Sequence, residues 1–108
     1  FDNLTVIVDY NKVQALGHSR DVLNLEPLGD KIRACHWACR EVDGHDVQAI
    51  DAALATLPFE KGKPSWLTAH TIKGKGVSFM EDTVSCHYGS VDDAQLAQAL
   101  REIGECPA

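Results

Sequence analysis

Apolar and polar positions along this chain fall into blocks whose period switches between strand-like and helix-like. Leu4-Thr5-Val6-Ile7-Val8 is β-branched and almost continuously apolar, the pattern of a strand buried on both faces of a parallel sheet. Asp9 to Leu25 is polar and irregular, with Gly17 as a turn. Pro27 suits the first turn of a helix, with Glu26 beside it, and Leu28, Ile32, Cys35 and Cys39 recur at helical spacing as its buried face. Gly29 weakens that helix by about 1 kcal/mol relative to alanine. Arg40-Glu41-Val42-Asp43 reads as a short strand ended by Gly44. Asp46 is placed to cap the next helix, whose stripe is Val47, Ile50, Leu54 and Leu57 and which Pro58 closes. Ser65 to Thr71 reads as another strand. Ser90 and Asp93 fit a capping box for a last helix with Leu96, Leu100 and Ile103 on its apolar face. Strands alternating with helices predict an α/β fold, a parallel sheet with flanking helices and right-handed crossovers.

Composition narrows this picture. At 108 residues and 44% hydrophobic, the chain has material for one small core. Its net charge of -6 is spread as interspersed acids and bases, which argues against a nucleic-acid or anionic-membrane surface. No apolar run approaches the roughly 18 residues of a membrane span, and no signal-peptide pattern opens the chain, so a soluble, cytoplasmic setting is expected. Position 1 is Phe, the single Met is Met80, and strand-like residues begin almost at once. The expectation is a chain that starts partway through a fold, as a truncated reading frame, a proteolytic product or an excised fragment.

In parallel sheets ligands bind outside the carboxyl ends of the strands, and three segments qualify. Asp9-Tyr10-Asn11-Lys12-Val13 follows the first strand and offers a carboxylate and an amide oxygen, hard ligands suited to magnesium or calcium, although spacing alone favours an Asx-type turn at the strand end. His70-Thr71-Ile72-Lys73-Gly74-Lys75-Gly76 follows the third strand. Its glycines allow close backbone approach and its lysines favour an anion, although the spacing is not that of a P-loop and a solvated basic turn also fits. Cys86-His87-Tyr88-Gly89 places a histidine able to donate to phosphate or move a proton, or simply to sit at the surface.

Four cysteines, Cys35, Cys39, Cys86 and Cys106, make an even count in a sequence of intracellular character, where disulfides are rare. Cys35 and Cys39 lie one predicted helical turn apart around His36, which raises a zinc site against the default of small buried hydrophobes. The paired Cys-x-x-Cys spacing of zinc knuckles is absent. His45, in Asp43-Gly44-His45-Asp46, reads as ordering the turn before the second helix.

Beyond spacing, Asp2-Asn3-Leu4-Thr5-Val6-Ile7-Val8-Asp9-Tyr10-Asn11-Lys12-Val13-Gln14 resembles the end of the thiamine diphosphate motif of the transketolase family, in the split bacterial form with separate N- and C-terminal subunits. The resemblance continues through Leu25-Glu26-Pro27-Leu28, Glu41-Val42-Asp43-Gly44-His45-Asp46, the stretch from Ala69 to Glu81, and Cys86-His87-Tyr88. It implies that residues 1–108 are the C-terminal portion of the pyrophosphate-binding N-terminal domain, an incomplete thiamine diphosphate-binding fold. It further implies Mg2+ held by the Asn11 side chain and the Val13 carbonyl, Lys73 in the cofactor loop, and His87 toward the diphosphate and donor sugar, with a catalytic role.

The family motif opens with Gly-Asp-Gly, and no glycine precedes Gly17. The glutamate that activates the thiazolium carbon also lies outside this chain. The parent activity implied is transfer of a two-carbon ketol unit between sugar phosphates, by a homodimer that includes a C-terminal subunit or domain, with this chain inactive alone. The alternatives are a fragment of 1-deoxyxylulose-5-phosphate synthase, whose Lys-Gly-Lys-Gly loop is similar, and a non-catalytic, partner-binding remnant; Val77-Ser78-Phe79-Met80-Glu81 favours transketolase.

Overall fold

The computed structural model describes residues 1–105. In chain order its elements are β1 (Thr5–Tyr10), β2 (Val13–Gln14), β3 (Gly17–His18), α1 (Ser19–Val22), α2 (Leu28–Ala34), β4 (Ala38–Asp43), α3 (Val47–Leu54), β5 (Ser65–His70), a 3-10 turn (Val84–His87) and α4 (Asp93–Glu105). They form two compact units, one of Phe1–Asn11 with Leu25–Thr71, the other of Lys12–Asn24 with the residues from Ile72 on.

The first unit is an α/β sheet. Its strands are parallel in the order β1-β5-β4, with Thr5 and Ala38 opposite Ser65 at one end and Tyr10 and Asp43 opposite His70 at the other. The central strand β5 is the most buried, with Leu67 and Ser65 fully covered and Thr68 and Ala69 nearly so. Ser65 tolerates burial because its hydroxyl accepts the Phe59 N–H at 3.0 Å. Trp66 donates its indole N–H to Thr68 Oγ1 at 3.0 Å and meets Trp37 edge-on, ring centres 5.8 Å apart. The helix α3 crosses over from β4 to β5, and Asp46 caps it as expected, its Oδ1 accepting the Ala49 N–H at 2.9 Å.

The sequence patterns and the fold part company at several points. The strand β1 is an edge with alternating exposure, not a strand buried on both faces; Ile7 is 54% exposed because β5 covers only one side of it. The helix α2 stops at Ala34, with Cys35 as its cap and His36 in a left-handed conformation (φ 64°), so Cys39 falls on β4. Cys35 and Cys39 therefore do not share a helical stripe. Cys35 is exposed and Cys39 half-buried, so they are not a buried pair, and neither joins a group of three or more metal-ligand side chains among the described residues. Leu57 lies past the end of α3.

In the second unit, the stretch expected to be irregular forms the β2–β3 hairpin, closed by a two-residue turn before Gly17 (φ 149°), followed by the single turn α1. The capping box of α4 is Asp92 with Gln95, not Ser90 with Asp93. Asp92 Oδ1 accepts the Gln95 N–H at 2.8 Å, and the Gln95 side-chain oxygen accepts the Asp92 N–H at 3.1 Å. The apolar stripe of α4 stays open to solvent, Leu100 being 64% exposed. Cys106 lies outside the described residues. No helix among the described residues is long and apolar enough to cross a membrane.

Candidate functional site

Because β1, β5 and β4 end level with one another, the backbone leaves all three strands along one edge of the first unit. Tyr10 closes β1 there. Its ring is buried and meets the His70 imidazole edge-on at 5.6 Å, while its hydroxyl is hydrogen-bonded to the Glu26 carboxylate. Burial first, and that carboxylate second, push the Tyr10 phenol up to about 12. The same bond leads the causes that hold Glu26 below the usual glutamate value, followed by the Leu28 N–H, which donates to Glu26 Oε2 at 3.0 Å.

Around this pair the strand ends are tied together. His70 Nε2 lies 2.9 Å from Glu41 Oε2, and Thr71 donates its hydroxyl to Asp9 Oδ1. Gly44 donates its N–H to the His70 carbonyl at 2.8 Å, so closely packed that a Cβ at this position would overlap the Thr71 methyl. Asn11 directly follows this fixed Tyr10 and is half-buried.

The other three residues singled out from the sequence belong to the second unit. Between Asn11 and Val13 the chain turns through Lys12, which holds φ 65°. The Lys12 carbonyl accepts the Ser19 N–H at 2.8 Å, which fixes the base of the hairpin. Val13 is buried in β2, and β2 packs against the 3-10 turn that carries His87. Lys73 opens a compact loop, its carbonyl accepting the Asp82 N–H at 2.9 Å. Gly74 (φ 73°) is required there, since a Cβ would stand 2.6 Å from the Met80 carbonyl oxygen. Glu81 accepts the Gly76 N–H at 2.9 Å and lies 3.8 Å from Lys75, which offsets the charge of that lysine. No carboxylate pairs with Lys73 among the described residues, so Lys73 is the loop's uncommitted cation.

His87 is exposed, its ring 6.2 Å from that of Tyr88. Cys86 beside it is engaged: its thiol lies 2.8 Å from Thr83 Oγ1 and donates to the Met80 carbonyl at 3.1 Å.

Chemically, Asn11 contributes an amide oxygen and Val13 a backbone carbonyl, hard donors that fit Mg2+. The described residues hold no cluster of three His, Cys, Asp or Glu side chains arranged for a metal. The Tyr10, Glu26, Glu41 and His70 cluster was not visible as a unit in the sequence. Aligning the three strands by their carboxyl ends would have brought Tyr10 and His70 together, whereas Glu26 carries no such signal.

Known proteins resemble this chain over almost its whole length. The profile of the family described as transketolase, thiamine diphosphate binding domain, matches residues 1–108. The chain is 36% identical over 104 residues to an apulose-4-phosphate transketolase subunit of Phocaeicola vulgatus, covering 96% of this chain and 37% of that protein. It is 37% identical over 102 residues to the 6-deoxy-6-sulfo-D-fructose transketolase subunit SqwG of a Clostridium species, covering 94% of this chain and 37% of that protein. The crystal structure of transketolase from Campylobacter jejuni superposes with a TM-score of 0.83 at 25% identity, over 95% of this chain and 16% of that one. The chain thus spans little more than a third of the two curated relatives.

Proposed function

Since this chain belongs to the transketolase family, matching its thiamine diphosphate binding domain, we propose that the protein it forms part of moves a two-carbon ketol unit between sugar phosphates. The observation that carries this reading is the level ending of three parallel strands at Tyr10, His70 and Asp43, with Asn11 emerging directly from the first. Relatives that are themselves named as transketolase subunits support a split arrangement with a separate partner subunit.

When bound, thiamine diphosphate supplies the acidic thiazolium carbon at which carbon–carbon bonds are broken and made. The chain's own residues have narrower tasks. Asn11 and Val13 carry the oxygens that would hold Mg2+. Lys73 adds positive charge to the loop that follows β5. His87, exposed on its 3-10 turn, donates a hydrogen bond to negative charge developing on the substrate oxygen. The glutamate that activates the thiazolium carbon comes from outside these residues, so the isolated chain is inactive.

An activity assay on the full-length protein together with its C-terminal partner tests this reading. Ketol transfer from a ketose phosphate to an aldose phosphate is expected, and His87→Ala should lower kcat by about 100-fold or more. Unchanged kcat in that variant would remove His87 from the reaction, and absence of any ketol transfer by the assembled protein would remove the activity.

A further inference from the structure

At the end of the first unit's sheet away from Asn11, where β4 and β5 begin, lies an open cavity of about 310 Å3. Along a six-residue strand this is roughly 16 Å from the carboxyl edge. Its wall brings together Arg33 from α2, Arg40 from β4 and Lys63 from the loop before β5, with the carboxylates of Glu60 in the wall and of Asp30 against Arg33. Such a concentration of cations stands out in a chain whose net charge is -6. Arg33 and Lys63 each meet a carboxylate and Arg40 meets none among the described residues, so the recess keeps a net positive charge that an anion would offset.

Arg40 is held ready for one. Its guanidinium carbon lies 4.7 Å from the centre of the Phe59 ring, and its Nη1 donates to Thr56 Oγ1 at 2.7 Å. Thr56 in turn donates to the Ala53 carbonyl at 2.6 Å, so the guanidinium is braced from α3. One of its five donors is spent in this way, and the residue remains exposed. Arg33 and Lys63 already meet Asp30 at 2.8 Å and Glu60 at 2.6 Å. Both are exposed pairs three residues apart, a class that contributes little, and a dianion reached by three cations at once displaces a single carboxylate. Trp37 and Phe59 give the same wall two aromatic surfaces.

We propose that this cavity binds a small phosphate monoester, its phosphate met by Arg33, Arg40 and Lys63 and its organic portion covered by Trp37 and Phe59. The volume is at the lower end for small-molecule sites and admits a compact ester. The site shares no residue with the proposed cofactor and substrate positions, so it stands or falls independently of that reading.

Titration of the chain with phenyl phosphate and with inorganic phosphate at low ionic strength, followed by calorimetry and by tryptophan fluorescence, tests the proposal. Saturable one-to-one binding is expected, tighter for phenyl phosphate and absent for phenol. Arg40→Gln should weaken it by about tenfold, equivalent to about 1.4 kcal/mol. Lys63→Gln, on an exposed side chain, gives a second reading should Arg40→Gln disturb the fold. Arg20→Gln, at an exposed arginine outside both sites, should change nothing. No saturable binding, binding that survives both cavity substitutions, or binding lost in Arg20→Gln would overturn the site. Equal affinity for the two phosphates would overturn its assignment to a monoester.

Discussion

The phenol of Tyr10 is hydrogen-bonded to the carboxylate of Glu26, fixing the residue that immediately precedes Asn11. The pair joins the end of β1 to the segment that leads into α2, within one compact unit. Its consequences are measurable at both ends of the pH scale.

On the alkaline side, Tyr10 ionises at about 12 in the folded chain against an ordinary value of 10. A raised value means the folded state holds the proton longer than the unfolded state. The stability it contributes is complete below pH 10 and is lost as pH rises from 10 toward 12. Urea unfolding of wild type and Tyr10→Phe across that window should show a difference in stability that shrinks with rising pH. A constant difference would mean that the phenol does not titrate with folding.

On the acid side the sign reverses. Glu26 is held below 4.5 by the Tyr10 hydroxyl first and the Leu28 N–H second, so its contribution is present above that value and fades as pH falls through the folded pKa. Glu26→Gln should flatten the acid limb of the stability curve. It should also bring the Tyr10 transition, followed by ultraviolet absorbance, down toward 10.

Two glycines of the loop after β5 separate backbone strain from crowding. Gly76 holds φ 91° with nothing within 4 Å of where a methyl would sit, whereas at Gly74 (φ 73°) that methyl would press on the Met80 carbonyl at 2.6 Å. Gly76→Ala should cost about 1 kcal/mol from the left-handed conformation alone, and Gly74→Ala about 2–4 kcal/mol. Chemical denaturation would report the two values. Equal losses would contradict the tight contact at Gly74.

Much of the fold was legible because its elements announce themselves locally. The β-branched run before Asp9, the Asp46 cap and the apolar Ser65 to His70 segment each carry their own signal, and each forms the expected element. Misreadings arose where spacing was ambiguous. Cys35 and Cys39 are four apart, which suits a helix, but the left-handed His36 ends α2 between them. Val13-Gln14 and Gly17-His18 are too short to show alternation, so the hairpin was invisible. Asn11 and His87 were singled out by resemblance, not by chemistry, since an Asn after a strand and a loop histidine are common. The bond between Tyr10 and Glu26 depends on tertiary placement that no local pattern encodes.

The open stripe of α4 sets a further expectation. Leu96, Leu100 and Ile103 are each more than half exposed, which favours self-association of the isolated chain. Size-exclusion chromatography should show elution that shifts with concentration, and Leu100→Lys should suppress the shift while changing stability by no more than about 0.5 kcal/mol. Concentration-independent elution as a monomer would show that this face is not adhesive.

Calorimetric titration of thiamine diphosphate in magnesium buffer, into the full-length protein joined with its C-terminal partner, bears most directly on the role given to this chain. Wild type should bind, and Asn11→Ala should bind at least about tenfold more weakly, as loss of an oxygen donor to Mg2+ requires. The chain of 108 residues alone should show no micromolar binding. Equal affinity of wild type and Asn11→Ala in the assembled protein would contradict the assignment of Asn11 to the metal.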